Sequence, residues 1–544
     1  MEKESKWLYH RNSVALFFLF FGILVFLVGY DYCLWDDDES AYAGFALNML
    51  REDQWIQPHF FWSDVHRKTP LHFWLIGLSY RLFGINEFAV RFPAGIFSIG
   101  TLVILFQLGK SLWGREVSIL SVYILGSSFL FVALAKISFT DATLLFFETL
   151  SILSLFAFLR EKRKIHLLFF WLGIGLGVLV KGPPILILCG GLWLFLFIVG
   201  FERKSLIQMH PWFFGLISLI PFFVWCYYSY LWDGGKLVGF LLDWYILKRA
   251  SGATVFGQTG PPGYHLVVIL ASFLPWIYFL IFTLIDFGKR GRDNYWYFPF
   301  FGTLLFSWIF YELVQSKLPT YALAAQPILA IMLAHFMHQN FINCKLHVIG
   351  FIASILILSI IILFSIYSFS LFQLSDQFFL LSFILVIIAI FYFFYLRKLY
   401  LISLVCHSYF FLFFVWFFVG KLVNQSAEKS SSGIVNEICT IVEDRKLNRN
   451  EVALVGLSHK QLKMSFPFYL QVSFRKIHEL TFDQLRDEWT RNPKLVVLMG
   501  ETFQDNRATF ESDFPQLKII KKNWKSINDG SEVHPFYIVY LEGK

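Results

Sequence analysis

The stretch Asp31-Tyr32-Cys33-Leu34-Trp35-Asp36-Asp37-Asp38-Glu39-Ser40-Ala41-Tyr42-Ala43 decides how this chain reads. An apolar run over 13–30 leads into it, so four consecutive carboxylates stand where a membrane helix would meet water. Like charges this close repel, and a bilayer edge solvates them poorly. A cation, a metal or a reaction that needs a carboxylate base would offset that cost. The plain alternative is a solvated acidic loop.

Composition settles the class. The chain has 544 residues, 57% hydrophobic, 20% aromatic and only 15% charged, against about 25% charged in an ordinary soluble domain. Its apolar residues, 67 Phe among them, fall in blocks of about 18–25 residues, long enough to cross a bilayer as helices. This excludes a single soluble core. The net charge of +8 sits largely in short loops between the blocks, where it sets topology and gives no reason to expect nucleic acid. Cys33, Cys189, Cys226, Cys344, Cys406 and Cys439 are scattered without paired spacing, which indicates neither a zinc site nor a disulfide framework. The charged N-terminus precedes a run without a small-residue cleavage pattern, so the run is expected to remain as the first membrane helix.

Thirteen spans are expected: 13–34, 90–108, 117–135, 142–159, 167–180, 185–199, 213–231, 266–285, 297–313, 321–337, 348–369, 378–395 and 399–419. Alternate connections carry Lys110 and Arg115, then Arg160, Lys162, Arg163 and Lys164. Arg203 and Lys204 follow, then Lys289, Arg290 and Arg292, then Lys345, then Arg397 and Lys398. By the positive-inside rule that side is cytoplasmic, and an odd span count places the C-terminus outside. The expected location is therefore a bacterial inner (plasma) membrane, multi-pass, with the polar clusters and the C-terminus on the periplasmic side. Residues 1–420 are the expected membrane domain, with outer-face loops 35–89 and 232–265. Residues 421–544 are the expected periplasmic domain, reached through a Ser-rich linker at 426–433. Within that domain 451–457, 494–500, 517–521 and 536–541 read as strands, and 481–491 and 502–513 as helices. The expected fold class is a polytopic α-helical membrane protein with a small C-terminal α/β domain.

The outer side gathers the chemistry. Arg67-Lys68-Thr69-Pro70-Leu71-His72 follows the acidic cluster, and a Lys at a Pro turn on the interface can hold a phosphate as a point charge. Ser138-Phe139-Thr140-Asp141 opens a span with an ionisable group, either a helix cap or a functional carboxylate. Lys181-Gly182-Pro183-Pro184, Lys248-Arg249 and Ser316-Lys317-Leu318-Pro319 add cations that oppose the positive-inside bias. A lipid phosphate fits their charge, their depth and their apolar surroundings together.

The order Asp38-Glu39-x-x-Tyr42-Ala43, then Lys68-x-Pro70-Leu71-His72-Phe73-Trp74-Leu75, then Phe83-Gly84-x-x-Glu87-x-x-x-Arg91-x-Pro93 resembles the GT-C glycosyltransferases. The resemblance is to lipid A aminoarabinose transferases and to dolichyl-phosphate-mannose protein mannosyltransferases. Thr140-Asp141-Ala142-x-Leu144, Lys181-Gly182-Pro183 and Ser316-Lys317-Leu318-Pro319-x-Tyr321 look like later motifs of that family, over roughly 31–335. The chain departs from it at Ala41, where many aminoarabinose enzymes carry Arg, and at Thr69, where the family has Pro. The resemblance implies inverting transfer of a sugar from a polyprenyl-phosphate carrier. It implies Asp38 as the catalytic carboxylate, with Glu39 in support and Asp141 as a second acidic group. Lys68, Arg249 and Lys317 would hold the donor phosphate, and Tyr42, His72 and Tyr321 would line the cavity. The donor would be a polyprenyl-phosphate-linked sugar, and the acceptor a lipid A, glycan or protein. The resemblance fixes no cofactor, and Asp37, Asp38 or Glu39 could hold a divalent metal.

Two other functions compete. A transporter or flippase of a lipid-linked sugar would place ionisable groups near the bilayer midplane, often in repeated halves. Here they cluster at one interface. An interaction scaffold would act through the C-terminal domain.

Overall fold

A computed structural model describes residues 11–27, 32–34, 38–58, 68–248, 259–274, 276–290 and 294–339. It also describes eight isolated helical positions between 352 and 413, then 432–446, 452–455, 466–470, 478–500, 503–525 and 533–542. The expected spans 348–369, 378–395 and 399–419 lie outside these residues, apart from the isolated positions. The chain divides into two units, 1–28 with 94–136 and 140–417, and 29–93 with 137–139 and 418–544.

The first unit is a helical membrane bundle. Among the described residues five helices are long and apolar enough to cross a membrane: Glu87–Trp113, Thr140–Glu161, Lys164–Lys181, Pro211–Asp233 and Pro319–Gln339. Arg115–Gly126 and Phe129–Lys136 pass the same test as a pair bent by 64°. The expected span 117–135 is therefore broken. Its break falls at Ser127 and Ser128, whose hydroxyls turn back onto Tyr123 O at 2.7 Å and Ile124 O at 2.9 Å. Such bonds compete with the helix ladder and bend it. The span expected over 266–285 is likewise two helices, Tyr264–Ser272 and Ile277–Arg290. Part of the long loop expected over 232–265 is helical, at Lys236–Leu242 and in the π-turn Asp243–Leu247.

Small residues let the bundle close. A Cβ on Gly173 would lie 2.2 Å from Ser151 Oγ, and one on Gly175 2.2 Å from the Ser218 carbonyl oxygen. The Lys164–Lys181 helix thus meets Thr140–Glu161 on one face and Pro211–Asp233 on the other at backbone range. Helices in lipid associate largely through such close packing. Ser98, Thr101, Ser121, Thr283, Thr303 and Ser307 each donate to the carbonyl four residues earlier, so their hydroxyls are not left unpaired in hydrocarbon.

The second unit joins the first expected outer loop to the C-terminal segment. Segment 35–87, which reads as polar, contains two helices, Asp38–Glu52 and Leu71–Phe83. The first buries every residue from Glu39 to Met49. Ala41-Tyr42-Ala43 and Phe45-Ala46-Leu47 make this burial favourable, about 1.5–3 kcal/mol for each large side chain. Five strands, β1 (Val452–Val455), β2 (His478–Leu480), β3 (Val496–Met499), β4 (Leu517–Lys525) and β5 (Val533–Leu541), form one sheet in the order β2-β1-β3-β5-β4. β1 runs parallel to β2 and β3, while β5 is antiparallel to β3 and β4.

Strand alternation gives the sheet two apolar faces. Val452, Val496, Leu498, Phe536 and Ile538 share a core with Phe45, Phe73, Ile76 and the Ser432–Asp444 helix. Ala453, Val497, Met499, Tyr537 and Val539 pack with Leu485, Trp489, Phe503 and Phe510 on the other. The Phe482–Arg491 helix begins with a capping box: Thr481 Oγ1 accepts from Gln484 N, and Gln484 Oε1 accepts from Thr481 N. Short helices at Ser432–Asp444 and Phe466–Leu470, and strand β2, escape the sequence reading. The Leu34 N–H donates to Tyr469 Oη at 2.8 Å, and Tyr80 Oη to Ala43 O at 3.0 Å. Burial raises the pKa of both phenols well above their ordinary value.

Candidate active site

Asp38 is the first residue of the Asp38–Glu52 helix and Glu39 the second. Carboxylates in a first turn meet the positive end of the helix dipole. Asp38 Oδ1 accepts from Tyr42 Oη at 3.3 Å, one turn on. The Tyr42 ring stands edge-on to His72 at 6.0 Å and to Phe73 at 5.4 Å, and His72 Nε2 lies 3.3 Å from Ser138 Oγ. Asp38, Tyr42 and His72 are thus brought into one neighbourhood. Lys68 is half-buried, three residues before the Leu71–Phe83 helix that carries His72.

Glu39 is buried completely and occupied on both oxygens. Arg91 Nε donates to Oε1 at 2.9 Å and Arg91 Nη2 to Oε2 at 3.0 Å, and the Ser138 N–H adds a bond to Oε1 at 2.9 Å. Arg91 also donates to the Tyr32 and Cys33 carbonyls. The Glu39–Arg91 pair is thus a joint in the fold: the guanidinium holds the 32–33 carbonyls, and the carboxylate at the helix start holds the Ser138 N–H. Among the described residues no group of three His, Cys, Asp or Glu side chains comes together as a metal cage.

The first unit holds the other acidic and basic groups. Asp141, in the first turn of Thr140–Glu161, receives a 2.7 Å bond from Lys181, the last residue of Lys164–Lys181. Antiparallel neighbours put an acid at one helix N-terminus beside a base at the other's C-terminus, and both macrodipoles favour this. Glu148 sits two turns below Asp141 on the same face. It lines a small cavity with Asp141, Lys181, Tyr311 and Tyr321. Glu148 escapes the sequence reading although a signal exists, a carboxylate inside an apolar run.

Lys317 is buried and does not line that cavity. Its Nζ donates to Tyr311 O at 3.0 Å and Glu312 O at 2.6 Å, satisfying carbonyls at the end of the Phe310–Leu313 helix. The Glu312 carboxylate in turn accepts from Gly263 N and Leu266 N, at the start of Tyr264–Ser272. His265 Nε2 lies 3.2 Å from Leu318 O. The Tyr321 ring lies tilted against that of Tyr311, with centroids 4.9 Å apart. Asp141 and Tyr321 are therefore brought together, while Lys317 ties helix ends nearby. Arg249 lies outside the described residues.

Comparison with known proteins agrees with this architecture. Residues 67–228 match the family model described as dolichyl-phosphate-mannose-protein mannosyltransferase. An uncharacterised protein of Aquifex aeolicus is 27% identical over 350 residues, covering 63% of this chain and 67% of that protein. The undecaprenyl phosphate-alpha-4-amino-4-deoxy-L-arabinose arabinosyl transferase of Wigglesworthia glossinidia brevipalpis is 26% identical over 349 residues, 62% of this chain. Arabinosyl transferase 2 of Proteus mirabilis is 23% identical over 321 residues, 56% of this chain. The matches span 60% and 55% of those two transferases' own lengths. The crystal structure of ArnT from Cupriavidus metallidurans bound to undecaprenyl phosphate superposes with a TM-score of 0.76 at 15% identity, covering 98% of this chain and 99% of that one. Archaeal AglB of Archaeoglobus fulgidus, in complex with an inhibitory peptide and a dolichol-phosphate, gives 0.50 at 12% identity, with 92% and 70% covered. The chain has the GT-C membrane fold and resembles the GT-C glycosyltransferases, in particular the aminoarabinose transferases and the dolichyl-phosphate-mannose protein mannosyltransferases.

Proposed function

We propose that the protein transfers a sugar, with inversion, from a polyprenyl-phosphate carrier to a lipid A, glycan or protein acceptor at the periplasmic face of a bacterial inner membrane. The ordered motif residues support this, carried on a chain whose fold matches ArnT from end to end. The thirteen-span count with an outer C-terminal domain belongs to the same proposal. The donor chemistry follows the names of the relatives, which act on undecaprenyl phosphate-linked aminoarabinose.

In the reaction the acceptor oxygen bonds to the anomeric carbon on the face opposite the carrier. The anomeric carbon–oxygen bond breaks, and its electron pair leaves on the carrier phosphate. Asp38 takes the acceptor proton, and Tyr42, bonded to its Oδ1, orients the carboxylate. Lys68, with Arg249, holds the departing phosphate as fixed positive charge. Glu39 acts through Arg91, keeping Asp38 at the start of its helix. Asp141 and Tyr321 line the small cavity they share with Glu148, Lys317 ties the helix ends beside it, and His72 packs beside Tyr42. An acceptor that is already a phosphate needs no strong base, and Asp38 would then orient it.

The test is sugar transfer by reconstituted Asp38→Asn and Lys68→Ala variants, with an undecaprenyl-phosphate sugar as donor. Each change should lower turnover by about 10²-fold or more. Full activity in both would overturn the mechanism. Movement of the lipid-linked sugar across proteoliposomes without covalent product would favour a flippase instead.

A further inference from the structure

The Lys164–Lys181 and Pro211–Asp233 helices touch at Gly175, where a Cβ would come within 2.2 Å of the Ser218 carbonyl oxygen. From that pinch toward their N-termini they part, and an open groove of about 670 Å³ lies between them. Its walls are apolar: Leu168, Trp171 and Leu172 on one helix, Phe214 and Ile217 on the other. Its mouth is polar, with Lys164, Gln208 and His210. No Asp or Glu is among the residues that line it. The acids near the mouth are engaged elsewhere, Glu202 with Lys162 at 2.7 Å and Glu161 with His166 at 2.9 Å.

Two helices begin at this mouth, and neither start carries a side-chain cap. Their dipoles add to the positive charge of Lys164. Trp171 Nε1 is buried in the wall without a hydrogen-bond partner among the described residues. From Lys164 to the pinch at Gly175 the groove runs eleven residues, roughly 17 Å of helix. That is close to one leaflet, about half of a hydrocarbon core of about 30 Å. A groove one leaflet deep, cationic at the interface and closed at the midplane, fits a single acyl chain below an anionic headgroup. A much longer isoprenoid chain would overrun the pinch.

We infer that this groove binds an acidic diacyl phospholipid from the leaflet beside the 160–164 and 203–204 loops, its phosphate on Lys164, Gln208 and His210 and one acyl chain between the two helices. The groove lies at the opposite end of the Lys164–Lys181 helix from the Asp141–Lys181 pair, so the site is separate from the proposed donor chemistry. Bound there, the lipid completes the helix pair below the Gly175 contact.

Native mass spectrometry of the purified full chain, titrated with phosphatidylglycerol, phosphatidylcholine or undecaprenyl phosphate, tests the inference. Phosphatidylglycerol should be retained preferentially. Lys164→Ala with His210→Ala should raise its dissociation constant about fivefold or more. Leu172→Trp, which fills the groove and leaves the charges, should do the same. Both polar side chains are exposed, so the double variant should fold normally. As an independent reading, brominated phosphatidylglycerol in vesicles should quench wild-type fluorescence more than that of Trp171→Phe. Equal retention of phosphatidylcholine, a loss of undecaprenyl phosphate affinity in the groove variants as large as that of phosphatidylglycerol, unchanged affinity in the variants, or equal quenching would each overturn it.

Discussion

Arg91 grips Glu39 from two nitrogens, Nε to Oε1 at 2.9 Å and Nη2 to Oε2 at 3.0 Å. Arg91 comes four positions after Glu87, at the head of a long membrane helix, and Glu39 directly follows Asp38. The fork therefore fixes the carboxylate proposed to act as base relative to the helix start at 87–91, within the same unit that carries Lys68. Breaking such a buried pair from one side leaves the other charge without compensation, a cost of about 3–5 kcal/mol. Arg91→Ala should lower the thermal unfolding midpoint in detergent markedly, and Arg91→Lys should do so less while losing the two-point grip. An unchanged midpoint in Arg91→Ala would show the pair to be dispensable.

Asp141 and Lys181 make the corresponding pair in the membrane bundle, at 2.7 Å and both mostly buried. Asp141→Asn or Lys181→Met alone should destabilise more than the two together, because the double change leaves no lone charge. A double-mutant cycle on unfolding midpoints measures the coupling, expected at about 0.5–3 kcal/mol. Strict additivity would contradict the contact.

Gly175 and Gly190 offer a matched contrast. A methyl at Gly175 collides with the Ser218 carbonyl, whereas nothing lies within 4 Å of one at Gly190. Gly175→Ala should loosen the bundle and lower its unfolding midpoint. Gly190→Ala should be neutral or stabilising by up to about 1 kcal/mol, through helix propensity. Equal effects would mean that the helices do not close at Gly175.

Glu202 supplies a pH dependence. Burial opposes its charge, but bonds from Lys162 and Ser205 outweigh burial and hold its pKa below the ordinary 4.5. A carboxylate with a depressed folded-state pKa contributes stability above its unfolded value and loses that contribution as pH falls through the folded value. The midpoint of the wild type should therefore drop below about pH 4.5, and Glu202→Gln should flatten that part of the profile. The pair is partly exposed, so the difference should be small and should shrink in high salt. A larger acid loss in Glu202→Gln than in wild type would reverse the assignment.

Truncation after Lys421 makes a further test. The Asp38–Glu52 and Leu71–Phe83 helices share their buried core with Val452, Val496, Leu498 and Phe536. Removing the C-terminal segment should therefore expose protease sites over 38–83 and abolish transfer. Retained activity and unchanged proteolysis would separate the two segments.

Much of this was legible from residue order. Long apolar blocks at 142–159, 167–180 and 213–231 read directly as helices because the bilayer permits few alternatives. The strands Val452–Val455, Val496–Met499 and Val533–Leu541 showed as short apolar runs between charged stretches. The helix Asp38–Glu52 was harder to see. Its start is acidic, and its face of Ala, Tyr and Phe matches neither a membrane span nor a strand. It is a helix because its apolar residues meet a sheet more than 400 residues later, and local pattern carries no trace of that. Glu39 illustrates the same limit: composition marks it as a charge to be explained, while only geometry shows Arg91 taking up both oxygens. Breaks at Ser127–Ser128 and near Leu274 were hidden because an apolar sequence gives the same hydropathy whether its helix is straight or bent.

The bond from Leu34 N–H to Tyr469 Oη spans 435 positions of sequence. A ribosome delivers the first partner long before the second. During all the intervening synthesis the Asp38–Glu52 helix has no sheet on which to lay Phe45 and Leu47. Its beginning is completed by its end, so a stalled or prematurely terminated chain would present that apolar helix uncovered to chaperones and quality-control proteases.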